Sequence, residues 1–202
     1  MSKVVAAITT SVDGYVTGPD DGPGRGLGVG GERLHYWVMG GPWTYDTEHE
    51  PGAHMTAEDR AFFDRMVANL GAGLCGRGMF EAAGRWGGTN PFGGPLFVVT
   101  HRVEEDPPAP ESGFVFVGSF EEALDRARKA AGDKDVSISG GADVIRQGLD
   151  AGAVDELVIS TAPVLLGAGK RLFEDFGKDI DLRILESSTS PFVTHVRYAI
   201  RK

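Results

Sequence analysis

The chain has 202 residues, is 41% hydrophobic and carries a net charge of −9 at pH 7. This length and composition suit one substantial α/β domain or, less readily, two small ones. The acidic balance argues against a general surface for nucleic acid or anionic membranes, although it leaves room for a small basic pocket. The single cysteine, Cys75, cannot form an internal disulfide, which suits a reducing cytoplasm.

The N-terminal segment has the pattern of a strand rather than of a targeting signal. Residues 3–9 are mostly apolar, and the sequence SVDGY after them indicates a turn at Asp13-Gly14. No apolar run in the chain has the length needed to cross a membrane. We therefore expect a cytoplasmic protein that begins with a buried strand.

Residues 18–55 form a segment rich in glycine and proline. It also contains four large aromatic residues, which are Tyr36, Trp37, Trp43 and Tyr45. A flexible linker has nothing against which to bury such rings. We therefore interpret the segment as a long functional loop with a short helix or turn at LHYWVM. GVGGER (28–33) superficially resembles a glycine-rich nucleotide loop, but no strand precedes it, so it is assigned to the same loop.

The next segment predicts a helix. Thr56 is a suitable N-cap residue, and Asp59 follows it at the spacing of a capping box. Apolar residues then recur at helical spacing, namely Phe62, Phe63, Met66, Val67 and Leu70. A second capping box, Ser119 with Glu122, indicates the start of another helix further along the chain.

From residue 71 onwards, predicted strands alternate with predicted helices. The strands are GAGLCGRG, PLFVVTHR, FVFVG, VSIS and DELVISTAPVLLG, and the last two segments, LRILESSTS and FVTHVRYAI, predict a β-hairpin at the sheet edge. This alternation predicts a three-layer α/β/α fold with a mostly parallel central sheet. No domain boundary is evident, so we expect residues 1–202 to form a single domain.

Two adjacent glycines, Gly140 and Gly141, stand where the strand VSIS meets the following helix. Glycine permits unusual backbone dihedrals and the close approach of another group. The free N–H groups at a helix start also attract anions. The junction alone leaves two interpretations open, a tight strand-to-helix turn and a phosphate-binding site.

Three motifs occur in a familiar order along the chain: GRGMFE (76–81), ISGGADVIRQGL (138–149) and DELVISTAPVLLGAGKRLF (155–173). Together with SVDGY near the start, they resemble the dihydrofolate-reductase-like superfamily, in particular the branch with the reductase domain of bacterial riboflavin biosynthesis. The resemblance covers nearly the whole chain. It implies an NADPH-dependent reductase of α/β/α fold and, because this branch often dimerises, a homodimer.

The resemblance implies three contact regions for NADPH. In the first, Arg77 lies near the adenosine 2′-phosphate, since a guanidinium group is a fork of donors suited to phosphate oxygens. The second is the end of PLFVVTHR, where the family often binds the same phosphate. The third is the glycine pair, with the cofactor's pyrophosphate on the helix start. The implied cofactor-binding residues are Gly76, Arg77, Thr100, His101, Arg102, Gly140, Gly141 and Ala142.

Dihydrofolate reductases hold the pterin ring with a carboxylate early on the helix that follows the mobile loop. AEDRAFF resembles that helix, which nominates Asp59 as the catalytic residue, with Glu58 as its neighbour. The alternative is that both acids only cap the helix and complement its dipole. The implied substrate-binding residues are Trp37, Phe62, Phe63, Leu166 and Gly167.

Several of these assignments have structural alternatives. Phe62 and Phe63 also suit core packing, and the rings of Trp37, Trp43 and Trp86 either form a wall of the substrate pocket or cover the sheet. Lys170 or Arg171 would meet a substrate phosphate or would be solvated charges at a loop corner.

Other classes of site do not fit the sequence. No GxGxxG follows the first strand, so the Rossmann fold is excluded. The stretch HEPGAH has poor spacing for metal ligands, and no metal site is expected. His195 lies in an alternating strand and is interpreted as structural. Cys75 is expected to be a buried, inert thiol, and no nucleophile–base pair for acyl transfer is evident.

The predicted function is hydride transfer from NADPH to a small heterocycle, pterin-like or ribityl-pyrimidine-like, or to another C=N or C=O compound. The alternative is a non-catalytic, homodimeric module that binds a nucleotide or another ligand on the same fold. The long loop departs from a compact dihydrofolate reductase, and we expect no fused deaminase with zinc-ligand cysteines. Neither nucleic acid nor membrane is expected as a partner.

Overall fold

The computed structural model describes residues 2–46 and 51–201. Its strands are β1 (Val4–Ser11), β2 (Tyr15–Thr17), β3 (Leu70–Gly76), β4 (Leu96–Val99), β5 (Phe114–Val117), β6 (Asp135–Ile138), β7 (Glu156–Ala162), β8 (Lys170–Arg171), β9 (Leu182–Thr189) and β10 (Thr194–Ile200). Its α-helices are α1 (Tyr36–Met39), α2 (Ala57–Val67), α3 (Arg77–Ala82), α4 (Phe120–Ala131) and α5 (Ala142–Asp150). Short 3-10 helices cover Gly31–His35, Gly84–Gly88 and Pro110–Ser112.

Eight strands form one sheet in the order β5-β4-β3-β6-β1-β7-β10-β9, and β2 pairs with β8 in a separate two-stranded sheet. The pairs from β5 to β7 are parallel, whereas β10 runs antiparallel to both β7 and β9. The predicted mostly parallel sheet with a C-terminal hairpin at its edge is therefore confirmed.

Helices cover both faces of the large sheet. Along β1, Val4 and Ala6 belong to the core that contains residues of α4 and α5, whereas Val5 packs on the other face against Phe62 of α2 and Val158. Alternate residues of a strand point to opposite faces, so a strand buried on both faces is apolar throughout. The arrangement confirms the predicted three layers.

Both predicted helix caps are present, but neither capping box is reciprocal. The backbone amide of Asp59 donates to Thr56 Oγ1 at 3.2 Å, and that of Glu122 donates to Ser119 Oγ at 3.2 Å. In a capping box the acid would bond back to the cap residue's amide. Here the Glu122 carboxylate instead accepts from Arg126 at 3.5 Å, and the Asp59 carboxylate points into the interior.

The long loop predicted over residues 18–55 contains the short helical segment expected at LHYWVM, as the 3-10 helix Gly31–His35 followed by α1. Two of its aromatic residues form hydrogen bonds to the backbone of the same loop. The Trp43 indole N–H donates to the Glu32 carbonyl at 3.0 Å, and the Tyr45 hydroxyl accepts from the Leu27 amide at 2.9 Å. Residues 47–50, and with them His49 of HEPGAH, lie outside the described residues.

Across residues 2–46 and 51–201, no helix has both the length and the apolar character that a membrane span requires.

Candidate active site

Glycines join two adjacent strand ends at the carboxyl edge of the sheet. The Gly76 amide, at the end of β3, donates to the carbonyl of Gly140, which lies after β6, at 2.8 Å. Gly140 has φ +115°, and a Cβ there would lie 3.2 Å from Met79 Sδ. The peptide bond between Gly140 and Gly141 is cis. The positive φ and the tight space explain why the first residue of the pair is glycine.

The start of α5 next to this junction can accommodate an anion. Gly141 is the N-cap residue and provides no side-chain hydrogen bond to the helix amides. A Cβ built on Gly141 meets no heavy atom within 4 Å, so the space beside it is open. Free amides and open space at a helix N-terminus fit a phosphate group. Ala142, the first helical residue, is buried, and Asp143 after it is exposed.

Arg77 opens α3, but its guanidinium group already has three neighbours. Nε lies 3.2 Å from Glu81 Oε1, Nη1 donates to the Arg102 carbonyl at 2.8 Å, and the group lies 4.7 Å from the centre of the Phe116 ring. The side chain is only 10% exposed. A phosphate bound here would therefore have to share Arg77 with Glu81.

Two of the three residues after β4, His101 and Arg102, are more accessible donors than Arg77. Thr100 is buried, and its hydroxyl oxygen accepts from the Arg102 amide at 3.1 Å. His101 and Arg102 are exposed, and Arg102 Nη1 lies 3.3 Å from Glu105 Oε2. Exposed ion pairs of this kind are weak, so Arg102 can exchange its partner for a phosphate.

Acidic side chains neutralise this cationic region. Glu81 accepts hydrogen bonds from both Arg85 and Arg77, which lower the pKa of its carboxyl, with Arg85 as the larger cause. Arg85 also pairs with Asp106 at 2.6 Å. These charges and those of the Arg102–Glu105 pair cancel. An anionic ligand would therefore depend more on directed hydrogen bonds than on net charge.

A second group of residues surrounds Asp59, which is fully buried at 0% exposure. Asp59 Oδ1 lies 3.2 Å from His195 Nε2, and His195 Nδ1 lies 2.7 Å from Ser160 Oγ. The second carboxylate oxygen, Oδ2, has no hydrogen-bond partner among the described residues. Burial lowers the pKa of His195 below its ordinary value, against the opposing effect of Asp59.

Two of the predicted aromatic substrate-binding residues, Phe62 and Trp37, pack against His195, and the third, Phe63, lies beside Trp37. Phe62 stacks on the His195 ring at 4.2 Å, and Trp37 meets it edge-on at 4.8 Å. The Trp37 indole N–H donates to Thr9 Oγ1 at 3.1 Å, and the Phe63 ring lies 6.4 Å from that of Trp37. The structure thus brings the candidate catalytic carboxylate and these three rings together.

Leu166 and Gly167 lie in a different environment, in the loop after β7. Their backbone amides donate to the Asp13 carboxylate at 3.1 and 2.8 Å, and the Tyr15 hydroxyl donates to the Gly167 carbonyl at 3.2 Å. The Ser11 hydroxyl also donates to Asp13, at 2.6 Å. Asp13 therefore joins the turn after β1 to the loop after β7.

The two cations of that loop already have partners. Lys170 pairs with Asp21 at 2.6 Å, and the Arg171 guanidinium lies 4.7 Å from the centre of the Tyr15 ring. Of the remaining tryptophans, Trp43 packs on Tyr45 and Trp86 packs in the core cluster of β4 and β5. None of these contacts involves Asp59.

The glycine junction and the Asp59 group share one edge of the sheet. A Cβ on Gly140 would lie 3.5 Å from Ile8 of β1, and the next residue of β1, Thr9, pairs with Ser160 of β7. Adjacent strands are about 4.8 Å apart. The junction after β6 is therefore roughly 10 Å from Ser160 of β7 and roughly 15 Å from His195 of the next strand, β10, a separation that one cofactor and one small substrate can span.

The structure places two further residues, His195 and Ser160, in the group around Asp59. His195 was assigned a structural role and Ser160 no role, because alternation along a strand says which residues face inwards but not which ones meet across it. The thiol of Cys75 is buried, and its burial raises its pKa to about 12, in agreement with an inert group. Within the described ranges, no cluster of three or more His, Cys, Asp or Glu side chains is arranged to hold a metal ion.

Residues 2–196 match the family model described as the RibD C-terminal domain. The chain belongs to this family. A 68-residue stretch is also 38% identical to the uncharacterized protein YyaP of Bacillus subtilis (strain 168), and this alignment covers 34% of the chain and 36% of that protein.

Solved structures with the same fold include reductase-type proteins. A putative riboflavin biosynthesis protein from Shewanella sp. PV-4 is 21% identical, with a TM-score of 0.71 over 99% of both chains. A pyrimidine reductase-like protein from Corynebacterium diphtheriae is 16% identical, with a TM-score of 0.61 over 100% of this chain and 92% of that one. Dihydrofolate reductase from Enterococcus faecalis, complexed with NADP(H) and RAB-propyl, is 16% identical, with a TM-score of 0.57 over 99% and 97%. This RibD C-terminal domain therefore has the dihydrofolate-reductase-like fold.

Asp13 gives the stability of the domain a defined pH dependence. The Ser11 hydroxyl first, and then the amides of Gly167 and Leu166, lower the pKa of Asp13 to about 2. Its contribution to the free energy of unfolding is present above its unfolded pKa of about 4 and is lost as the pH falls through its folded value. We expect Asp13→Asn to be less stable than the wild type at pH 7 and this deficit to shrink towards pH 2.

Urea unfolding followed by circular dichroism at a series of pH values measures this difference. Asp133→Asn, an exposed acid between α4 and β6, is the matched control and should leave the free energy of unfolding unchanged. An Asp13→Asn deficit that is the same at pH 7 and at pH 2 would contradict the assignment.

Proposed function

We propose that this RibD C-terminal domain is an NADPH-dependent reductase that acts on a small heterocycle or on a related compound with a C=N or C=O bond. In the proposed reaction, a hydride and a proton add across that bond. The cofactor supplies the hydride. The protein's part is to align the two reactants, exclude water and position polar groups next to the reacting ring.

The observation that carries the proposal is the open start of α5 beside Gly141. Its amides have no side-chain cap, and nothing lies within 4 Å of a Cβ at that position. Membership of the RibD C-terminal domain family supports a dinucleotide as the anion. The pyrophosphate would lie on these amides, and the adenosine 2′-phosphate would lie near Arg77, Thr100, His101 and Arg102.

The substrate would lie on the other side of β1, towards Asp59 and the aromatic rings. A carboxylate accepts hydrogen bonds from ring and amino N–H groups, and flat apolar rings pack on heteroaromatic compounds. Pterin-like and ribityl-pyrimidine-like rings offer both kinds of surface. The names of the solved neighbours, a putative riboflavin biosynthesis protein and a pyrimidine reductase-like protein among them, agree with this class. The comparisons do not favour a non-catalytic binding module.

The cofactor assignment predicts a selective loss of NADPH binding. Arg77→Ala and Arg102→Ala should each weaken NADPH binding about tenfold or more, since charge-assisted bonds to a phosphate are lost. NADH binding should change little, because NADH lacks the 2′-phosphate. Titration of each variant with both nucleotides, followed by nucleotide fluorescence, measures the effect.

Arg128→Ala is the matched control, because Arg128 is an exposed arginine in the last turn of α4, away from the carboxyl edge of the sheet. It should bind both nucleotides as the wild type does. Equal losses of NADPH and NADH in the two test variants would contradict the placement of the 2′-phosphate. A wild-type protein that binds neither nucleotide would contradict the reductase proposal.

The pyrophosphate assignment predicts that a charged substitution of Gly141 weakens nucleotide binding without lowering the melting temperature. Its φ of −67° and the open space beside it admit a side chain. Asp and Ser are both good N-caps, so Gly141→Asp and Gly141→Ser should keep or raise the melting temperature. The carboxylate of the Gly141→Asp variant should repel the pyrophosphate and weaken the binding of both nucleotides about tenfold or more. The uncharged hydroxyl of the Gly141→Ser variant should weaken binding much less. Equal binding by the two variants would argue against a phosphate here.

We also propose that the protein forms a homodimer through β9. This strand is the edge of the large sheet and exposes Leu182, Ile184 and Leu185, with Ile184 at 65% exposure. An open edge with apolar side chains is suited to pairing with a second copy. Ile184→Lys should shift the mass measured by light scattering from dimer to monomer, and Val29→Lys, at another exposed apolar residue, should not. A monomeric wild type would contradict the proposal.

A further inference from the structure

The carboxylate of Asp59 has one oxygen that the fold leaves without a donor. Among the residues described, Oδ2 of Asp59 is the buried side-chain atom without a hydrogen-bond partner, and the residue is 0% exposed. Buried polar groups are almost always paired, because an unpaired one has lost its water and gained nothing. An exception beside the aromatic rings of the candidate site indicates that the missing partner is supplied from outside the chain.

The other carboxylate oxygen ends a directed chain of hydrogen bonds. A hydrogen bond between Asp59 Oδ1 and His195 Nε2 needs one proton between them, and placing it on Nε2 leaves both carboxylate oxygens as acceptors. In the neutral imidazole, Nδ1 is then an acceptor, and the hydroxyl of Ser160 donates to it. Burial lowers the pKa of His195, which favours this neutral form.

Two strands, β7 and β10, and the helix α2 fix the geometry of these hydrogen bonds. Ser160 of β7 and His195 of β10 are direct partners in the antiparallel register, so the sheet itself sets their separation. Asp59 and Phe62 lie three residues apart on α2 and therefore share a face of the helix. One contacts the edge of the imidazole through a hydrogen bond and the other stacks on its face, with 7° between the ring planes.

The other acidic side chains near His195 are paired with arginines, so Asp59 is the acid that bonds to the imidazole. Glu186 of β9 acts electrostatically on His195, but it pairs with Arg65 of α2 at 2.5 Å. On β10, two residues beyond His195, Arg197 pairs with Glu156 of β7. Both outer acids are thus compensated.

We propose that Ser160 and His195 are positioning residues for Asp59, which hold its Oδ1 so that Oδ2 remains free for an N–H donor of a ligand. The ligand class is a nitrogen heterocycle with an amino or ring N–H group. Because Asp59 is fully buried, the ligand must displace a neighbouring side chain to reach Oδ2. The inference rests on the proposed reductase site.

The first test is the tautomer of His195, which needs no ligand. With ¹⁵N-labelled histidine, NMR at pH 7 should show a neutral ring with its proton on Nε2. Asp59→Asn, which no longer requires a donor at that position, should lose this preference. A wild-type ring with its proton on Nδ1, or with protons on both nitrogens, would overturn the hydrogen-bond directions and with them the proposal.

The second test measures the binding of a probe, 2,4-diaminopyrimidine, by the change in tryptophan fluorescence. His195→Leu removes the donor to Asp59, whereas His195→Gln keeps a side-chain N–H that can replace it. We expect the probe to bind the wild type, to bind His195→Leu about tenfold or more weakly, and to bind His195→Gln within about threefold of the wild type. A merely structural role for the imidazole would not be rescued by glutamine.

Ser160→Ala is a milder variant, which should weaken the probe less than His195→Leu does and which keeps the test valid if the leucine variant does not fold. Unchanged NADPH binding and circular dichroism serve as the fold control. Equal probe binding by the wild type and a folded His195→Leu, no probe binding by the wild type, or no rescue by glutamine would overturn the proposal. A wild type that binds the probe but not NADPH would count against the reductase function. The tautomer measurement would then still decide the positioning role.

Discussion

The parallel pairing of β3, β6, β1 and β7 is the constraint on which the candidate site depends. Parallel neighbours end at the same edge of a sheet, so the segments that follow these strands must meet there. The register fixes the contacts further: Thr9 lies opposite Ser160, and the amide of Gly76 reaches the carbonyl of Gly140. Because the side-chain period of a strand is two residues, a slip of one residue in β1 or β7 would turn the side chain of Thr9 or Ser160 to the other face.

An acidic chain can still offer an anion site, because the site does not rely on net charge. The protein carries a net charge of −9, and the arginines near the glycine junction are balanced by acids such as Glu81 and Asp106. The donors at the start of α5 are backbone amides, which carry only partial charge and are aimed by the helix itself. Their direction rather than their charge makes this edge suitable for a phosphate.

The C-terminal hairpin contributes to the site as well as to the sheet edge. Through β10 it brings His195 against α2, where Asp59 and Phe62 hold the imidazole by one hydrogen bond and one stacked ring. Because this contact is buried, the hydrogen bonds within it have little competition from water. The hairpin, α2 and the long loop that carries Trp37 therefore form one unit around a single carboxylate.

The sequence by itself determined the layers, the mostly parallel sheet, the caps at Thr56 and Ser119 and the glycine junction, because each depends on residues close together in the chain. It also nominated Asp59 and Arg77 through a resemblance of motifs. Only the tertiary structure decided that Arg77 is engaged by the Arg102 carbonyl, that Asp59 turns inwards to His195, and that one of its oxygens has no partner. Asp59 and His195 are 136 positions apart, and no local periodicity encodes which buried side chains meet across a sheet.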